Sequence, residues 1–295
     1  MTKLDMVSRE NLIKKLCQQY PFVECGTIGK SLCNRDIKYL KFGSNNKPVL
    51  FAAAFHGSEW LTSLLVLLFA EHIGNLISND STVDGINIKN FLNKNGLIIV
   101  PCVNPDGVEI SINGANGAGI YRSSVIDIMK ERDTTFWQAN ARGVDLNHNF
   151  DAGWDALHAL EKEKNIIRPS YTRYGGLLPE SEPETKALVQ FCNQIEFRHV
   201  IAFHSQGEEI YWNFGKKIPP KAKTMGEKMA KLSGYKLSTP EGLAIGGGFK
   251  DWFIQKFNRP GFTIEIGKGK NPLPLEAISS IYDQLEKMLL YCVLS

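Results

Sequence analysis

A histidine and a glutamate three residues apart are the first side chains in this sequence whose types and spacing could do chemistry. His56 and Glu59 follow the apolar run 48–55, which predicts a buried strand, and precede apolar residues at helical spacing. Gly57 leaves room for the turn between them, so both side chains could close on one metal ion. Two ligands make half of a site, and the rest of the chain must supply a third ligand and a base.

Two residues far along the chain could complete this set. His204 and Glu265 lie near the ends of short β-rich runs, at residues 199–204 and 261–267. A catalytic zinc ion takes three protein ligands of these types and keeps one coordination position open. His204 would be the third ligand, and Glu265 could polarise the attacking water.

Each of these residues also has an ordinary structural interpretation. An isolated His-x-x-Glu pair is common at surfaces and helix caps. His204 alone could be a hydrogen-bonded core histidine, and Glu265 alone a buried ion-pair partner. The order of the residues along the chain and their places at strand ends favour the metal site.

Predicted strands alternate with predicted helices. The apolar runs 48–55 and 96–103 predict central strands, whereas 37–42 alternates with period two and predicts an antiparallel edge strand. A capping-box pattern at 181–184 predicts a helix start, and the apolar stripe within 275–292 predicts the last helix. The sequence therefore predicts an α/β fold with a mixed, mostly parallel central sheet and helices on both faces.

The carboxyl ends of the strands are where ligands gather in such sheets. The residues at these ends are His56, Asn104, His204 and Glu265. Two stretches, 104–150 and 153–180, are rich in glycine and polar residues and show little periodicity. Long irregular loops in compact domains are usually functional, so both are expected to wall a cleft.

The domain organisation predicted from the sequence is simple. Apolar residues at helical spacing within 8–20 predict a first helix with Ser8 as its N-cap. No internal repeat, low-complexity tract or domain boundary is visible. Residues 1–295 are therefore predicted to form one domain, on which residues 1–30 pack as a helical extension.

Composition, charge and cysteine usage narrow the class of protein. The 34 Lys and Arg residues are scattered and nearly balance 31 Asp and Glu, which disfavours nucleic acid as a partner. Residues 1–10 lack the apolar region of a signal peptide, so export by the usual route is not expected. The apolar stretch 60–70 is shorter than the roughly 20 residues that span a bilayer, so no transmembrane segment and no membrane partner are expected. The six cysteines form no Cys-x-x-Cys pair and are expected to be free thiols in the cytoplasm.

Five short motifs occur along the chain in a fixed order. They are His56-Gly-Ser-Glu59, Asn104-Pro-Asp-Gly107, Gly143-Val-Asp-Leu-Asn147, Phe203-His204-Ser-Gln206 and Phe262-Thr-Ile-Glu265. Together they resemble the zinc metallocarboxypeptidase family, over a region from residue 28 to the C-terminus. Further motifs, including Trp137-Gln-Ala-Asn140 and Lys250-Asp-Trp-Phe-Ile254, resemble its bacterial γ-D-glutamyl-diaminopimelate peptidases.

This resemblance implies a role for each residue of the set. One zinc ion would be held by His56, Glu59 and His204, while Glu265 would act as general base and then as proton donor. The implied reaction is amide hydrolysis.

The residues that grip a substrate carboxylate depart from the family pattern. Carboxypeptidases of this family use an Asn-Arg pair for the terminal carboxylate, a second arginine for the scissile carbonyl and a tyrosine that closes over the site. This chain keeps Asn147, but His148, Gln138 and Leu243 stand at the other three positions. A histidine cannot reproduce the bidentate clamp of an arginine, so ordinary C-terminal trimming is disfavoured.

Other residues near the motifs are expected to act on the substrate. Arg142 is close to Gln138 in sequence and could stabilise the oxyanion, although a surface position explains it equally well. Gln206 and Lys250 are expected to bind the substrate, together with Asn147, His148 and Gln138. Charges that could match the ammonium and carboxylate of diaminopimelate are found at Glu208, Glu209, Lys250, Lys268 and Lys270.

The sequence thus predicts a zinc peptidase that cleaves a γ-D-glutamyl-diaminopimelate amide in small, muropeptide-like substrates. Two alternatives stay open: a carboxypeptidase or amidase acting on other small peptides, and a non-catalytic protein that binds peptides in the same cleft. Retention of the base Glu265 argues against the second, because a binder has no use for it. The oligomeric state is left open.

Overall fold

The helices and strands of the chain alternate as expected for an α/β fold. A computed structural model describes residues 3–130 and 132–295. The α-helices in these residues are α1 Met6–Gln19, α2 Trp60–Ser78, α3 Ile88–Asn95, α4 Pro105–Asn113, α5 Arg122–Met129, α6 Trp154–Glu163, α7 Pro183–Gln194, α8 Ala222–Ser233, α9 Phe249–Phe257 and α10 Ile278–Leu294. The strands are β1 Glu24–Lys30, β2 Asp36–Phe42, β3 Val49–Ala53, β4 Thr82–Val83, β5 Ile86–Asn87, β6 Leu97–Val100, β7 His199–His204, β8 Glu209–Tyr211, β9 Lys236–Ser238 and β10 Gly261–Glu265.

Eight of these strands form one mixed sheet in the order β1-β2-β6-β3-β7-β10-β8-β9. The four central strands β6, β3, β7 and β10 run parallel, whereas β1, β2 and β8 join through antiparallel pairings. Every residue of β3, β6 and β7 is buried, because helices cover both faces of the sheet. The predicted fold class is confirmed.

Two hydrophobic cores lie on opposite faces of this sheet. Along β3, Val49, Phe51 and Ala53 belong to one core, and Leu50 and Ala52 to the other, as the alternation of side chains along a strand requires. The first core contains residues of α1, α2, α8 and α10, and the second contains residues of α7 and α9. The central strands are thereby held rigidly, and their carboxyl ends lie at one edge of the sheet.

Helix α2 is longer than the apolar stretch 60–70 suggested. The helical segment Gly57–Ser78 has 22 residues and contains an 18-residue window with a mean hydropathy of 1.5, enough by length and composition to cross a membrane. Most of it is buried within the protein, on both its sheet-facing side and the side toward α1 and α10. Its apolar character is therefore explained as that of a core helix.

The N-terminal thirty residues are more than a helical extension. Helix α1 is followed by β1, which is an edge strand of the main sheet. The helix begins two residues before Ser8, and its cap is Asp5, whose carboxylate accepts a hydrogen bond from the Ser8 amide at 2.8 Å. Asp5 satisfies a free amide of the first turn as Ser8 was expected to do.

The stretches predicted to be irregular contain helices. Residues 104–150 include α4 and α5, joined by the 3₁₀ segment Gly114–Tyr121, and residues 153–180 include α6. These helices are short, and tertiary packing rather than a long periodic pattern defines them. The predicted capping box at α7 is also wrong, because the cap residue is Glu182 and its side chain makes no capping bond.

The cysteines are not all free. Cys17 at the end of α1 and Cys25 in β1 form a disulfide, with their Cα atoms 6.8 Å apart. Cys33, Cys102, Cys192 and Cys292 are free thiols, and three of these four are buried. The expectation of six free thiols is therefore wrong, and the cytoplasmic location predicted from it loses that support.

Candidate metal centre

Three side chains from two strand ends converge on one point. His56 Nδ1 lies 2.8 Å from Glu59 Oε1, and His204 Nδ1 lies 3.0 Å from Glu59 Oε2. The two Nδ1 atoms are 3.3 Å apart. Zinc–nitrogen bonds of about 2.0–2.1 Å at a tetrahedral angle separate two nitrogens by roughly the same distance. The structure brings together the three ligands predicted from the sequence, in a geometry that fits a single zinc ion.

Local backbone packing sets this arrangement. His56 follows β3, and Glu59 ends a 3₁₀ turn that leads directly into α2. A Cβ atom on Gly57 would lie 2.1 Å from the Gly107 carbonyl oxygen, so only glycine fits this turn. The neighbouring strand end contributes Asn104, whose amide donates to the Phe55 carbonyl at 3.0 Å and secures the same turn.

His204 is held between the metal centre and the core. Its ring stacks on Phe55 with centroids 5.1 Å apart, and Phe55 stacks in turn on Phe249 at 5.6 Å. The Nδ1 atom faces Glu59, whereas Nε2 is buried without a hydrogen-bond partner among the described residues. The ring is thus oriented by packing, with Nδ1 directed at Glu59 and the predicted metal position.

Asp145 is a functional residue that the sequence interpretation did not single out. Its Oδ1 lies 3.0 Å from His56 Nε2, on the far side of the ring from Glu59. The amide of Arg173 donates to Oδ2 at 2.8 Å, and the Asp145 side chain is almost fully buried. A carboxylate in this position fixes the orientation and tautomer of a metal-binding histidine. The sequence did contain one indication of this role, because Asp145 lies within the Gly143-Val-Asp-Leu-Asn147 motif.

The electrostatic interactions among the three side chains favour an ionised Glu59 beside the imidazoles of His56 and His204. Burial alone would raise the pKa of Glu59, but His56 and His204 outweigh it and lower the pKa to about 2. Burial opposes a charge on His56 as well, yet Glu59 and Asp145 raise its pKa. An ionised Glu59 between two imidazoles is the donor set expected for a zinc site.

Glu265 stands beside the centre at the end of β10. It pairs in register with His204 of the parallel strand β7, which places the predicted base and a predicted ligand on adjacent strands. Desolvation in the cleft, followed by the nearby charge of Glu59, raises the pKa of the Glu265 carboxyl well above its ordinary value. A raised pKa suits a group that must take up a proton and release it again.

The centre opens into a cavity of about 530 Å³, named the metal cavity below. The predicted substrate-binding residues Gln138, Asn147, His148, Gln206 and Lys250 all line it. Asn147 Oδ1 accepts a hydrogen bond from the Phe249 amide at 3.1 Å. His148 Nδ1 lies 2.7 Å from Glu161 Oε1, which fixes the ring of His148 at the cavity wall. Lys250 Nζ contacts Asp251 and donates to the Asn213 carbonyl.

Arg142 does not reach this cavity. Its Nε lies 3.4 Å from Glu182 Oε2, and its side chain lines a separate cavity with Arg132 and Arg168. The reason is a tight turn, in which Asn140 Oδ1 accepts hydrogen bonds from the amides of Arg142 and Val144. The expected role of Arg142 at the oxyanion is therefore not supported by its position.

Arg173 lines the metal cavity instead. It lies in the stretch 153–180, whose irregular sequence gave no reason to select it, and it contacts the centre through its backbone bond to Asp145. Leu243, at the position that resembles the closing tyrosine, also lines the cavity, and Tyr211 lies on β8. The spacing of residues in the sequence did not indicate where Arg142 and Arg173 would lie, because the geometry of their loops determines both positions.

Comparison with known families agrees with this geometry. The family profile described as zinc carboxypeptidase matches residues 9–287. Gamma-D-glutamyl-L-diamino acid endopeptidase 1 of Lysinibacillus sphaericus is 37% identical over 276 residues, which cover 93% of this chain and 68% of that enzyme. The uncharacterized protein YqgT of Bacillus subtilis is 36% identical over 285 residues, covering 95% and 74% of the two chains.

Solved structures share the fold. Carboxypeptidase A from Helicoverpa armigera superimposes with a TM-score of 0.74 at 20% identity, covering 98% of this chain and 72% of the other. The murein-tripeptide amidase MpaA from Escherichia coli O157 gives a TM-score of 0.54 at 23% identity, covering 91% of each chain. At these sequence identities, the similarity to the two solved structures shows a shared fold and nothing about activity.

Proposed function

Because this chain belongs to the zinc carboxypeptidase family and is a zinc metallopeptidase, we propose that it hydrolyses a γ-D-glutamyl amide bond to diaminopimelate or a similar diamino acid. The substrates are small peptides derived from peptidoglycan. One zinc ion would be held by His56, Glu59 and His204. We place this activity in the cytoplasm as part of the same proposal.

The observation that carries this proposal is the charge around the metal cavity. No arginine stands at position 148, so the usual Asn-Arg clamp for a free C-terminal carboxylate is missing, and position 138 lacks the arginine that polarises the scissile carbonyl. The cavity is lined instead by Lys250 and Asp251, an ion pair of which both members are buried. Diaminopimelate ends in an ammonium and a carboxylate, and a wall with both signs of charge complements it.

His148 adds a directed hydrogen-bonding group to this wall. Glu161 is almost fully buried and lies between two histidines, 2.7 Å from His148 Nδ1 and 3.1 Å from His158 Nδ1. The Gly175 amide donates to the same carboxylate at 3.2 Å. With Nδ1 of His148 occupied, Nε2 is the ring atom left to contact a substrate in the cavity.

The chemistry follows from the positions of the chain's own residues. Zinc, when bound, supplies a Lewis acid that activates water and polarises the scissile carbonyl. Glu265, beside His204, accepts the proton of the attacking water and then delivers it to the leaving amine. Asp145 holds His56 in place throughout, and the metal cavity orients the amine side of the substrate.

The named relatives support this assignment of substrate. The Lysinibacillus sphaericus enzyme is called a γ-D-glutamyl-L-diamino acid endopeptidase, and it matches nearly the whole of this chain. Carboxypeptidase B of Bos taurus matches at 26% identity over 81% of the chain. This match corresponds to the main alternative function, that of an exopeptidase acting on ordinary peptides.

A parallel assay of two substrates tests the proposal. The zinc-loaded chain is incubated with the tripeptide L-Ala-γ-D-Glu-diaminopimelate and with peptides that end in ordinary L-residues, and products are separated by chromatography. We expect release of free diaminopimelate from the first substrate and little hydrolysis of the others. Hydrolysis of ordinary C-terminal residues alone would refute the proposed substrate, and no hydrolysis of either would favour the non-catalytic binder.

A further inference from the structure

A second cavity opens beside the metal cavity. It has a volume of about 500 Å³, is named the side cavity below, and is lined by residues that include Ser58, Tyr171 and Lys270. Three residues line both cavities: Gln138, Arg173 and Gln206. A peptide that extends to both sides of the bond being cleaved would pass this junction.

The backbone of Arg173 is fixed to the framework of the metal centre. Its amide donates to Asp145 Oδ2 at 2.8 Å, and Oδ1 of the same carboxylate holds His56. The preceding residue, Thr172, donates its hydroxyl to the side chain of Gln138. Arg173 also has a positive φ of 63°, a conformation that these contacts maintain. The backbone of Arg173, from which the side chain extends, therefore keeps a constant position relative to the metal ligands.

The guanidinium of Arg173 differs from the charged groups of Lys250 and Arg142, which have carboxylate partners. Lys250 is paired with Asp251, and Arg142 with Glu182. Arg173 is exposed, and within residues 3–130 and 132–295 no carboxylate lies within ion-pair distance of it. An arginine that lines both cavities from a fixed backbone, with its charge unmatched by the protein, is suited to bind an anionic group of the substrate.

The proposed substrate has such a group on the side away from the diamino acid. In a γ-D-glutamyl amide the scissile carbonyl belongs to the glutamyl side chain, so the α-carboxylate remains free on the acyl side. The metal cavity, with its Lys250–Asp251 pair, takes the amine side under the proposed function. The acyl side then extends across the junction into the side cavity, where Lys270 adds a second positive charge.

We infer that Arg173 binds the free α-carboxylate of the γ-D-glutamyl residue and thereby selects γ-linked over α-linked peptides. This inference rests on the proposed function. It makes Arg173 a specificity-determining residue, which contacts the substrate at a distance from the bond that is broken.

A cycle of two variants and two substrates tests the inference. The substrates are L-Ala-γ-D-Glu-diaminopimelate and the same tripeptide with the α-carboxylate converted to an amide. The variants are Arg173→Gln and, as a matched control, Arg168→Gln, which removes an exposed arginine that lines only the cavity containing Arg142. Zinc content and melting temperature are measured for each.

We expect Arg173→Gln to lower kcat/KM for the carboxylate substrate by roughly 10- to 100-fold, the value of one charge-assisted contact. The amidated substrate should be hydrolysed equally by wild type and Arg173→Gln, and Arg168→Gln should match wild type on both. Equal losses on both substrates, or no loss, would overturn the role of Arg173 while the proposed function stands. Failure of the wild type on the carboxylate substrate would overturn both.

Discussion

Asp145 and Glu59 hold the ring of His56 from opposite sides. Asp145 Oδ1 lies 3.0 Å from Nε2, and Glu59 Oε1 lies 2.8 Å from Nδ1. The ring therefore has one nitrogen committed to a buried carboxylate and the other directed at the metal position. Since burial of Asp145 is outweighed by His56 and His148, the pKa of its carboxyl stays well below the usual range, and Asp145 accepts from His56 as an anion.

Asp145→Asn should weaken zinc binding. The amide keeps the shape of the side chain but loses the charge that orients His56, so we expect a loss of about 10- to 100-fold in zinc affinity. Competition with a chromogenic chelator measures it. Asp151→Asn, at an exposed aspartate in the same segment, is the control. Unchanged zinc affinity in Asp145→Asn would show that the hydrogen bond to His56 does not support the ligand.

Glu265→Gln should separate metal binding from catalysis. Glutamine keeps the place beside His204 but cannot accept the proton of the attacking water, so hydrolysis should fall by roughly 10²- to 10⁴-fold. Zinc content, measured by atomic emission, should equal that of the wild type. Glu227→Gln, on the exposed face of α8, serves as control. Retained hydrolysis in Glu265→Gln would remove its assignment as the base.

Lys250→Met should destabilise the chain whatever its effect on the substrate. The change leaves Asp251 buried without its cation, and removing one member of a buried ion pair costs about 3–5 kcal/mol. The double variant Lys250→Met/Asp251→Asn should recover most of this loss. Urea denaturation measures both. A single variant as stable as the wild type would mean that Asp251 finds another partner or water.

Glu184→Gln should change the pH dependence of stability. Burial, followed by the charge of Asp106, raises the pKa of Glu184 to about 8 from its ordinary 4.5. The folded chain then retains a proton that the unfolded chain releases, so this contribution is complete below about pH 4.5 and is lost as the pH rises through 8.

Glutamine reproduces the protonated form of this side chain at every pH. The Glu184 oxygens accept hydrogen bonds from the Leu32 amide and from the Asn140 side-chain NH₂ group, so glutamine keeps one of these bonds and loses the other at every pH. We expect the stability of Glu184→Gln to vary less with pH than that of wild type, so that the variant gains on the order of a few kcal/mol relative to wild type between pH 5 and pH 9. Thermal melting across this range, with the exposed Glu163→Gln as control, measures it. Parallel curves for variant and wild type would contradict the raised pKa.

The sequence predicted the parts of this protein that depend on local pattern. Buried parallel strands appear as continuous apolar runs, so the ends of β3 and β7 could be located, and with them His56 and His204. The turn at Gly57 was also foreseen, because a ligand pair so close in sequence needs a residue without a side chain.

Residues placed by loop contacts could not be predicted in the same way. Arg142 and Arg173 lie in segments without periodicity, and the hydrogen bonds that their backbone amides donate to Asn140 and Asp145 decide which of them reaches the metal cavity. The Cys17–Cys25 disulfide depends on α1 turning back onto β1, which no cysteine spacing indicated. Such features arise from tertiary packing, which a linear pattern does not record.

The in-register pairing of His204 with Glu265 has an evolutionary consequence. Adjacent strands lie about 4.8 Å apart, so the distance between ligand and base is set by the sheet and not by any loop. The side chains of Gln138, Arg173 and Leu243 can then change without moving the hydrolytic pair. A scaffold of this kind allows new peptide preferences to arise by drift at the rim while the reaction is preserved.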